Sequence, residues 1–316
     1  MSLKNSFRRK WLGALAWLLV LAAAGPAGGQ EALTVGVLPV VDTLPLWVAQ
    51  ENGLFEKQGL SVQLVSFQSA LERDAALQAG RLDGCFGDIM ATVLLISAGQ
   101  DLGIVTTAFH TTPASRMFGL AVAPGSGLTG LEGLKGSPVA ISRATIIEYL
   151  LDRLLAAQGL GPDYVAKQEI KKIPLRLQML LADQIPAALL PEPLLTLAET
   201  KGAKVLLDDR VLDVSLTVIA LRRSLGQGGD GPAARFREAY GQAVEQINRA
   251  PESFKPLMVA RTNFPEPVRD QYRMPVFPPV GLPSGDDIAD VLSWLRENKM
   301  IEKGPPYERI VFPPSP

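Results

Sequence analysis

Residues 33–60 constrain the fold more than any other stretch of the sequence. An apolar run of strand length, rich in Val and Leu, ends at Pro39. Pro45 then stands where the first turn of a helix tolerates proline, because the missing N–H would have no partner there. Asn52-Gly53 supplies a left-handed helix stop, and a second apolar run begins at Ser61. The order strand, helix, strand predicts a right-handed βαβ unit that opens a parallel sheet.

The same alternation continues along much of the chain and predicts two α/β lobes. We expect a capping box at Ser69 and Glu72, at the start of one helix. Asp88 is predicted to cap the start of another helix. Strands are predicted at 33–38, 61–66, 81–87 and 102–108 in the first lobe, at 116–123, 138–141, 167–173, 187–190 and 204–207 in the second, and at 215–221.

The alternation stops after residue 221. Helices are predicted at 235–249, after Pro251 and at 286–298, and residues 305–316 are expected to be loosely attached. We expect these helices to pack on the first lobe, so that the chain crosses between the lobes near Arg116 and near Ser215. The predicted division is a signal peptide at 1–30, lobe 1 at 31–115 and 214–316, and lobe 2 at 116–213.

The first 30 residues have the pattern of a secretory signal. Four basic residues between Lys4 and Lys10 precede an apolar segment of about 14 residues, shorter than the roughly 20 that span a bilayer. An uncleaved anchor is the alternative, and Arg8-Arg9 leaves both the general and the twin-arginine export routes open. No cysteine lies directly after the apolar segment, where a lipoprotein would carry one, so we expect a free periplasmic protein without a lipid anchor. The one cysteine, Cys85, lies in a predicted strand and is expected to be a buried, inert thiol.

Composition excludes several classes of function. The chain has 316 residues, enough for two domains, and a formal net charge of −1. Because the first 30 residues carry four basic and no acidic side chains, the remainder has a net charge of −5 and no basic run, which argues against nucleic acid as a partner. A single histidine excludes a histidine-rich metal site, and we find no Gly-x-Ser-x-Gly element or nucleophile–base pairing. We therefore expect no cofactor and no enzymatic activity.

Several short motifs occur in a characteristic order. Residues 49–55 read AQENGLF, 59–62 GLSV, 76–83 ALQAGRLD, 134–140 LKGSPVA and 191–193 PEP. Together they resemble the substrate-binding proteins of ABC importers for nitrate, sulfonates, taurine and thiamine precursors. The resemblance spans roughly residues 33–221. It implies an α/β, type II periplasmic-binding-protein fold, with two doubly wound lobes joined by two hinge crossings.

The same resemblance implies a function. The two lobes would close on a small polar or anionic organic ligand, and the closed monomer would deliver it to a permease and an ATPase in the inner membrane. A ligand-binding sensor for a receptor kinase is the alternative, and an enzyme on the same bilobed fold is a further one.

Ligands of open α/β sheets bind beyond the carboxyl ends of the strands. Loops and helix starts at those ends supply the candidate ligand-binding residues: Pro39, Val40, Asp42, Asp88, Ile89, Met90, Phe109 and His110 in lobe 1, and Ser142, Arg143, Ala144, Thr145 and Glu192 in lobe 2.

Among these candidates, Arg143 and the helix start at Thr145 give the most specific indication of a ligand group. Backbone N–H groups and a guanidinium would favour an anionic group there. Asp42 and Asp88 would suit an amine at the other end of the ligand, so a zwitterion or an amine-bearing heteroaromatic fits better than an inorganic anion. The alternatives are a solvent-exposed Arg143 and two aspartates that only cap helices.

Overall fold

The computed structural model describes residues 30–226, 230–262, 264–270 and 272–313. Residues 1–29, which carry nearly all of the predicted signal peptide, lie outside this part. Within it, ten strands form two five-stranded sheets. The strands are β1 (Glu31–Val37), β2 (Leu60–Ser66), β3 (Gly84–Asp88), β4 (Leu102–His110), β5 (Phe118–Val122), β6 (Pro138–Ile141), β7 (Ala166–Glu169), β8 (Ala187–Pro191), β9 (Lys204–Asp208) and β10 (Ser215–Arg222).

The two sheets share one plan. The first has the strand order β2-β1-β3-β10-β4, and the second has the order β7-β6-β8-β5-β9. In the first sheet β1 pairs in parallel with β2 and β3, while β10 runs antiparallel between β3 and β4. In the second, β6 pairs in parallel with β7 and β8, while β5 runs antiparallel between β8 and β9. The predicted opening βαβ unit is confirmed, and each lobe gains one antiparallel strand directly after the chain has crossed over.

Eleven α-helices lie in the described residues: α1 (Leu44–Glu51), α2 (Leu54–Lys57), α3 (Ala70–Gln78), α4 (Ile89–Ser97), α5 (Ile146–Ala156), α6 (Ile173–Leu181), α7 (Leu194–Thr200), α8 (Pro232–Arg249), α9 (Lys255–Arg261), α10 (Gly285–Glu297) and α11 (Tyr307–Ile310). The predicted caps are present, since Ser69 accepts from the N–H of Glu72 and Asp88 from that of Ala91. β7 is shorter than its predicted strand, because α6 already begins at Ile173.

The C-terminal helices attach at two places. α8 packs on α1 and α2, where the rings of Phe55 and Phe236 stack at 4.9 Å between centroids. α10 packs against α4 and also reaches α5, where the indole N–H of Trp294 donates to Asp152 at 2.9 Å. α10 therefore touches elements next to both sheets, which the sequence pattern does not indicate.

The expectation of a loosely attached tail is wrong for residues 307–312. Ile310, Val311 and Phe312 are buried, and the N–H of Phe312 donates to the carbonyl of Ile104 on β4 at 2.8 Å. β4 is an edge strand of the first sheet. The apolar tail therefore covers a sheet edge that would otherwise expose unpaired backbone groups.

Candidate ligand site between the two sheets

A small cavity lies where the strand ends of the two sheets face each other. Its volume is about 50 Å³, room for a few water molecules, so the two lobes lie close together in this conformation. Residues from both sides line it. The polar ones are Asp42, Arg73, Asp88 and Thr217 on the side of the first sheet and Ser142, Thr145 and Lys171 on the side of the second.

The structure brings some of the thirteen candidate residues to this cavity. Val40, Asp42, Asp88, Ser142 and Thr145 line it. Arg143 and Ala144 instead line a wider opening of about 360 Å³ beside it, between α3, α4 and the loop after β6. Six candidates line neither space: Pro39, Ile89, Met90, Phe109, His110 and Glu192.

The local packing explains most of these six positions. Ile89, Met90 and Phe109 are core residues with at most 1% exposure. The imidazole of His110 contacts Asp213 at 2.8 Å and Ser215 at 3.2 Å, at the crossing into β10. The strand ends therefore face the cavity, while the residues beside them serve the core and a crossing.

Glu192 belongs to the other crossing. Its carboxylate accepts from Arg116 at 2.7 Å and from the N–H of Thr196 at 3.0 Å, so it holds the start of β5 against α7. Glu192 therefore forms an ion pair with Arg116 within its own lobe, and its ligand contact stays a prediction.

Asp42 lies in a short turn after β1 and is 1% exposed. Its Oδ2 accepts from the hydroxyl of Thr217 on β10 at 2.7 Å. Among the described residues its Oδ1 has no hydrogen-bond partner. Burial raises the pKa of the Asp42 carboxyl to about 6, with the Thr217 hydrogen bond opposing the shift. The first lobe thus presents an acceptor that is short of a donor.

Asp88 caps two helices at once. Its Oδ1 accepts from the N–H of Ala91 in α4 at 2.7 Å, and its Oδ2 accepts from the N–H of Ile146, the first residue of α5, at 3.1 Å. Burial raises the pKa of the Asp88 carboxyl, while both hydrogen bonds act in the opposite direction. One carboxylate therefore joins the sides of the two sheets and satisfies the positive end of α5.

Two buried arginines flank the cavity, and sequence reasoning missed both. Arg73 on α3 lines it and donates to the carbonyl of Phe86 at 2.8 Å. Arg176 on α6 donates to the Ser142 hydroxyl and to the carbonyls of Ile170 and Leu189. Burial lowers the pKa of Arg176 to about 9. A usable signal was present, since each arginine stands on the apolar face of its predicted helix.

Arg143 is placed differently from the expectation. Its side chain is 51% exposed, lies 3.3 Å from Glu148, and donates to the carbonyl of Lys167 at 3.2 Å. Glu148 also accepts from the N–H of Ala144, whose φ of 56° turns the loop back towards α5. The charge of Arg143 is therefore paired within its own lobe.

The residues that the structure describes contain no group of three or more His, Cys, Asp or Glu side chains arranged to hold a metal ion. None of their helices is long and apolar enough to cross a bilayer.

Comparison with known proteins decides the family. The model of the NMT1-like family matches residues 27–252, most of the chain. The chain belongs to the NMT1-like family. Among curated proteins, it is 26% identical over 210 residues to an ABC transporter periplasmic binding protein of Brachyspira hyodysenteriae, a match that covers 60% of this chain and 59% of that protein. The matches cover only 9%, 59% and 41% of three curated relatives.

Solved structures establish the fold of this NMT1-like protein. A ligand-binding component of an ABC-type import system from Staphylococcus aureus superposes with a TM-score of 0.76 at 19% identity, over 90% of this chain and 97% of that one. An alkanesulfonate-binding protein from Xanthomonas axonopodis, bound to MOPS, gives 0.73 at 19% identity, also over 90% and 97%. The two-lobed α/β fold of periplasmic binding proteins is thereby confirmed.

Proposed function

We propose that this NMT1-like protein captures a small polar organic ligand between its two lobes and delivers it to an ABC importer. One observation carries the proposal: a cavity lies at the carboxyl ends of strands from both sheets and takes polar groups from both. Such a place binds ligands in open α/β folds. Membership of the family, and the import and binding-protein names of its relatives, support the same function.

The membership of the two sheets suggests how the chain divides into two lobes that move relative to each other. We propose that residues 31–115 and 214–316 act as one lobe and residues 116–213 as the other. Strand membership supports this division, because β1 to β4 and β10 form one sheet and β5 to β9 the other. Hinged closure about the two crossings would give the transporter a ligand-dependent surface.

The proposed partners are a permease and an ATPase of the inner membrane. We propose that the protein is a monomer and that it binds its ligand without transforming it.

The proposed location is the periplasm, reached by means of the signal at residues 1–30 and without a lipid anchor. Fractionation of a Gram-negative host tests this location. The soluble periplasmic fraction should contain the protein without its first 25–30 residues, roughly the usual length of a signal peptide. Full-length protein in the membranes would contradict it.

A thermal-shift screen tests the binding function. Small organic anions, zwitterions and amines are added singly to the purified protein, and a ligand should raise the melting temperature in a saturable way. Small-angle scattering should then show the change of shape that closure on a ligand requires. The matched variants are Ser142→Ala, at the cavity, and Ser253→Ala, far from it on the segment before α9. A ligand whose affinity is equal in both would place binding elsewhere.

A further inference from the structure

Two buried side-chain atoms at the cavity have no hydrogen-bond partner among the described residues: Nη2 of Arg73, whose charge is paired with Asp74 at 2.6 Å, and Oδ1 of Asp42, which has no such counter-charge. The Oδ1 of Asp42 is buried without a donor among the described residues, and the hydroxyl of Thr217 is already committed to Oδ2. On the opposite side, the Thr145 hydroxyl donates to the carbonyl of Ser142 at 2.8 Å. A buried carboxylate oxygen without a donor is unfavourable, so a ligand that brings an N–H group to Asp42 is stabilised there.

Asp88 occupies the place at which α5 would hold an anion. Its Oδ2 receives the N–H of Ile146 at 3.1 Å, at the positive end of an 11-residue helix. Anions bind such ends through the free N–H groups and the helix dipole. Because the protein supplies its own carboxylate, an anionic ligand would have to displace it and would also face its charge.

The balance of buried charge points the same way. Arg73 and Arg176 are the buried cations at the cavity, and Asp42 and Asp88 are buried carboxylates. Asp74, 2.6 Å from Arg73, adds a third carboxylate. Lys171 at the rim lies 3.8 Å from Glu169 and so brings its own counter-charge. With these groups ionised, the site has an excess of one negative charge.

We propose that the ligand is a compact monocation with N–H donors, of the amidinium or ammonium type, which is held by Asp42, and that the carboxylate of Asp88 excludes ligands whose polar group is an anion. This rests on the proposed solute-binding function and narrows it. It also replaces the expected anionic group at Thr145, since that helix end already has a carboxylate partner.

Calorimetry with two matched probes tests the ligand class. Acetamidinium and acetate share one heavy-atom skeleton and carry opposite charges; each is titrated into the purified protein at equal ionic strength. Acetamidinium should bind saturably and acetate should not. Asp42→Asn should weaken acetamidinium binding about tenfold or more, because a charge-assisted hydrogen bond is lost. Ser253→Ala, at an exposed position outside the cavity lining, should leave the affinity unchanged.

A second variant tests the role of Asp88. In Asp88→Ser the hydroxyl can still cap α4, but it is too short and uncharged to replace the carboxylate at α5. Acetate should become a ligand of this variant. Acetate binding to the unmodified protein, with loss in Ser142→Ala, would overturn the ligand class and leave the solute-binding function standing. If neither acetamidinium nor acetate binds, the inference of a cationic ligand is wrong. The thermal-shift screen then decides separately whether the protein binds a small solute. No acetate binding to Asp88→Ser would remove the excluding role of Asp88.

Discussion

Arg73 and Arg176 occupy equivalent places in the two lobes. Each donates from the helix before a strand to a backbone carbonyl 13 residues further on, Arg73 to Phe86 at 2.8 Å and Arg176 to Leu189 at 3.0 Å. The two differ in their surroundings. Arg73 lies 2.6 Å from Asp74, whereas the hydrogen-bond acceptors of Arg176 in the described part of the chain are all uncharged. The repeated plan of the sheets thus extends to one side chain in each lobe.

Arg176→Ala is expected to lower the free energy of unfolding by about 2–3 kcal/mol, because buried acceptors lose their donor and a cavity remains, although removal of a buried charge offsets part of the loss. Arg176→Lys should recover only part, since an ammonium cannot reproduce the planar fork. Urea denaturation measures both. The control is Arg143→Ala, a half-exposed arginine of the same lobe, with an expected loss under about 1 kcal/mol. Equal losses at the two positions would contradict the structural role given to Arg176.

Asp209 should make stability depend on pH. It is buried at the crossing into β10, it accepts from the N–H of Met117 at 2.9 Å, and burial raises its pKa from 3.8 to about 7. The folded protein therefore holds this proton more tightly than the unfolded chain does. The contribution to stability is complete below about pH 4 and is lost as the pH rises through 7.

Urea titrations of the unmodified protein and of Asp209→Asn measure this effect. The free energy of unfolding of the unmodified protein, relative to the variant, should fall by on the order of 3 kcal/mol between pH 4 and pH 7. Asp163→Asn, at an exposed position of the same lobe, should follow the unmodified protein at every pH. Parallel curves for the unmodified protein and Asp209→Asn would show that Asp209 does not titrate in this range.

Asp290 on α10 ties that helix to α5. Its carboxylate receives two hydrogen bonds from Arg153, at 2.7 and 2.9 Å, and one from the hydroxyl of Tyr149. Asp290→Ala should cost about 1 kcal/mol of stability, since the pair is partly exposed. It should also increase the radius of gyration of the protein without ligand in small-angle scattering, because one contact between α10 and α5 is removed. Arg296→Ala, an exposed charge change on the same helix, should leave both quantities unchanged, and a similar expansion in both variants would contradict the tie.

The fold was predictable where its causes are local. Gly53 adopts the expected left-handed conformation with φ of 63°, and Asp88 caps α4 as its position before an apolar helix indicates. Strand and helix periods, caps and stops depend on residues a few positions apart, so they can be read in order along the chain. The opening unit and the alternation of both lobes follow from such signals.

The site depends on partners far apart in the sequence. Asp88 meets Ile146 across 58 residues, and Asp42 meets Thr217 across 175. A helix start in the sequence indicates where an anion can bind. It does not indicate that a carboxylate of the protein itself, here that of Asp88, already occupies the position. Arg143 was therefore expected at the cavity. In the structure its guanidinium is instead paired with Glu148, in the first turn of α5, and is half-exposed.

Cys85 has a practical consequence for observing this protein at work. It is the single cysteine of the sequence, it is 2% exposed, and burial raises the pKa of its thiol to about 11. Dye reagents attack the thiolate, which at neutral pH is then only about one part in ten thousand. One surface cysteine introduced on each lobe would therefore take up a donor and an acceptor fluorophore while Cys85 stays unlabelled. Energy transfer between the two dyes would report the opening and closing of individual molecules in real time.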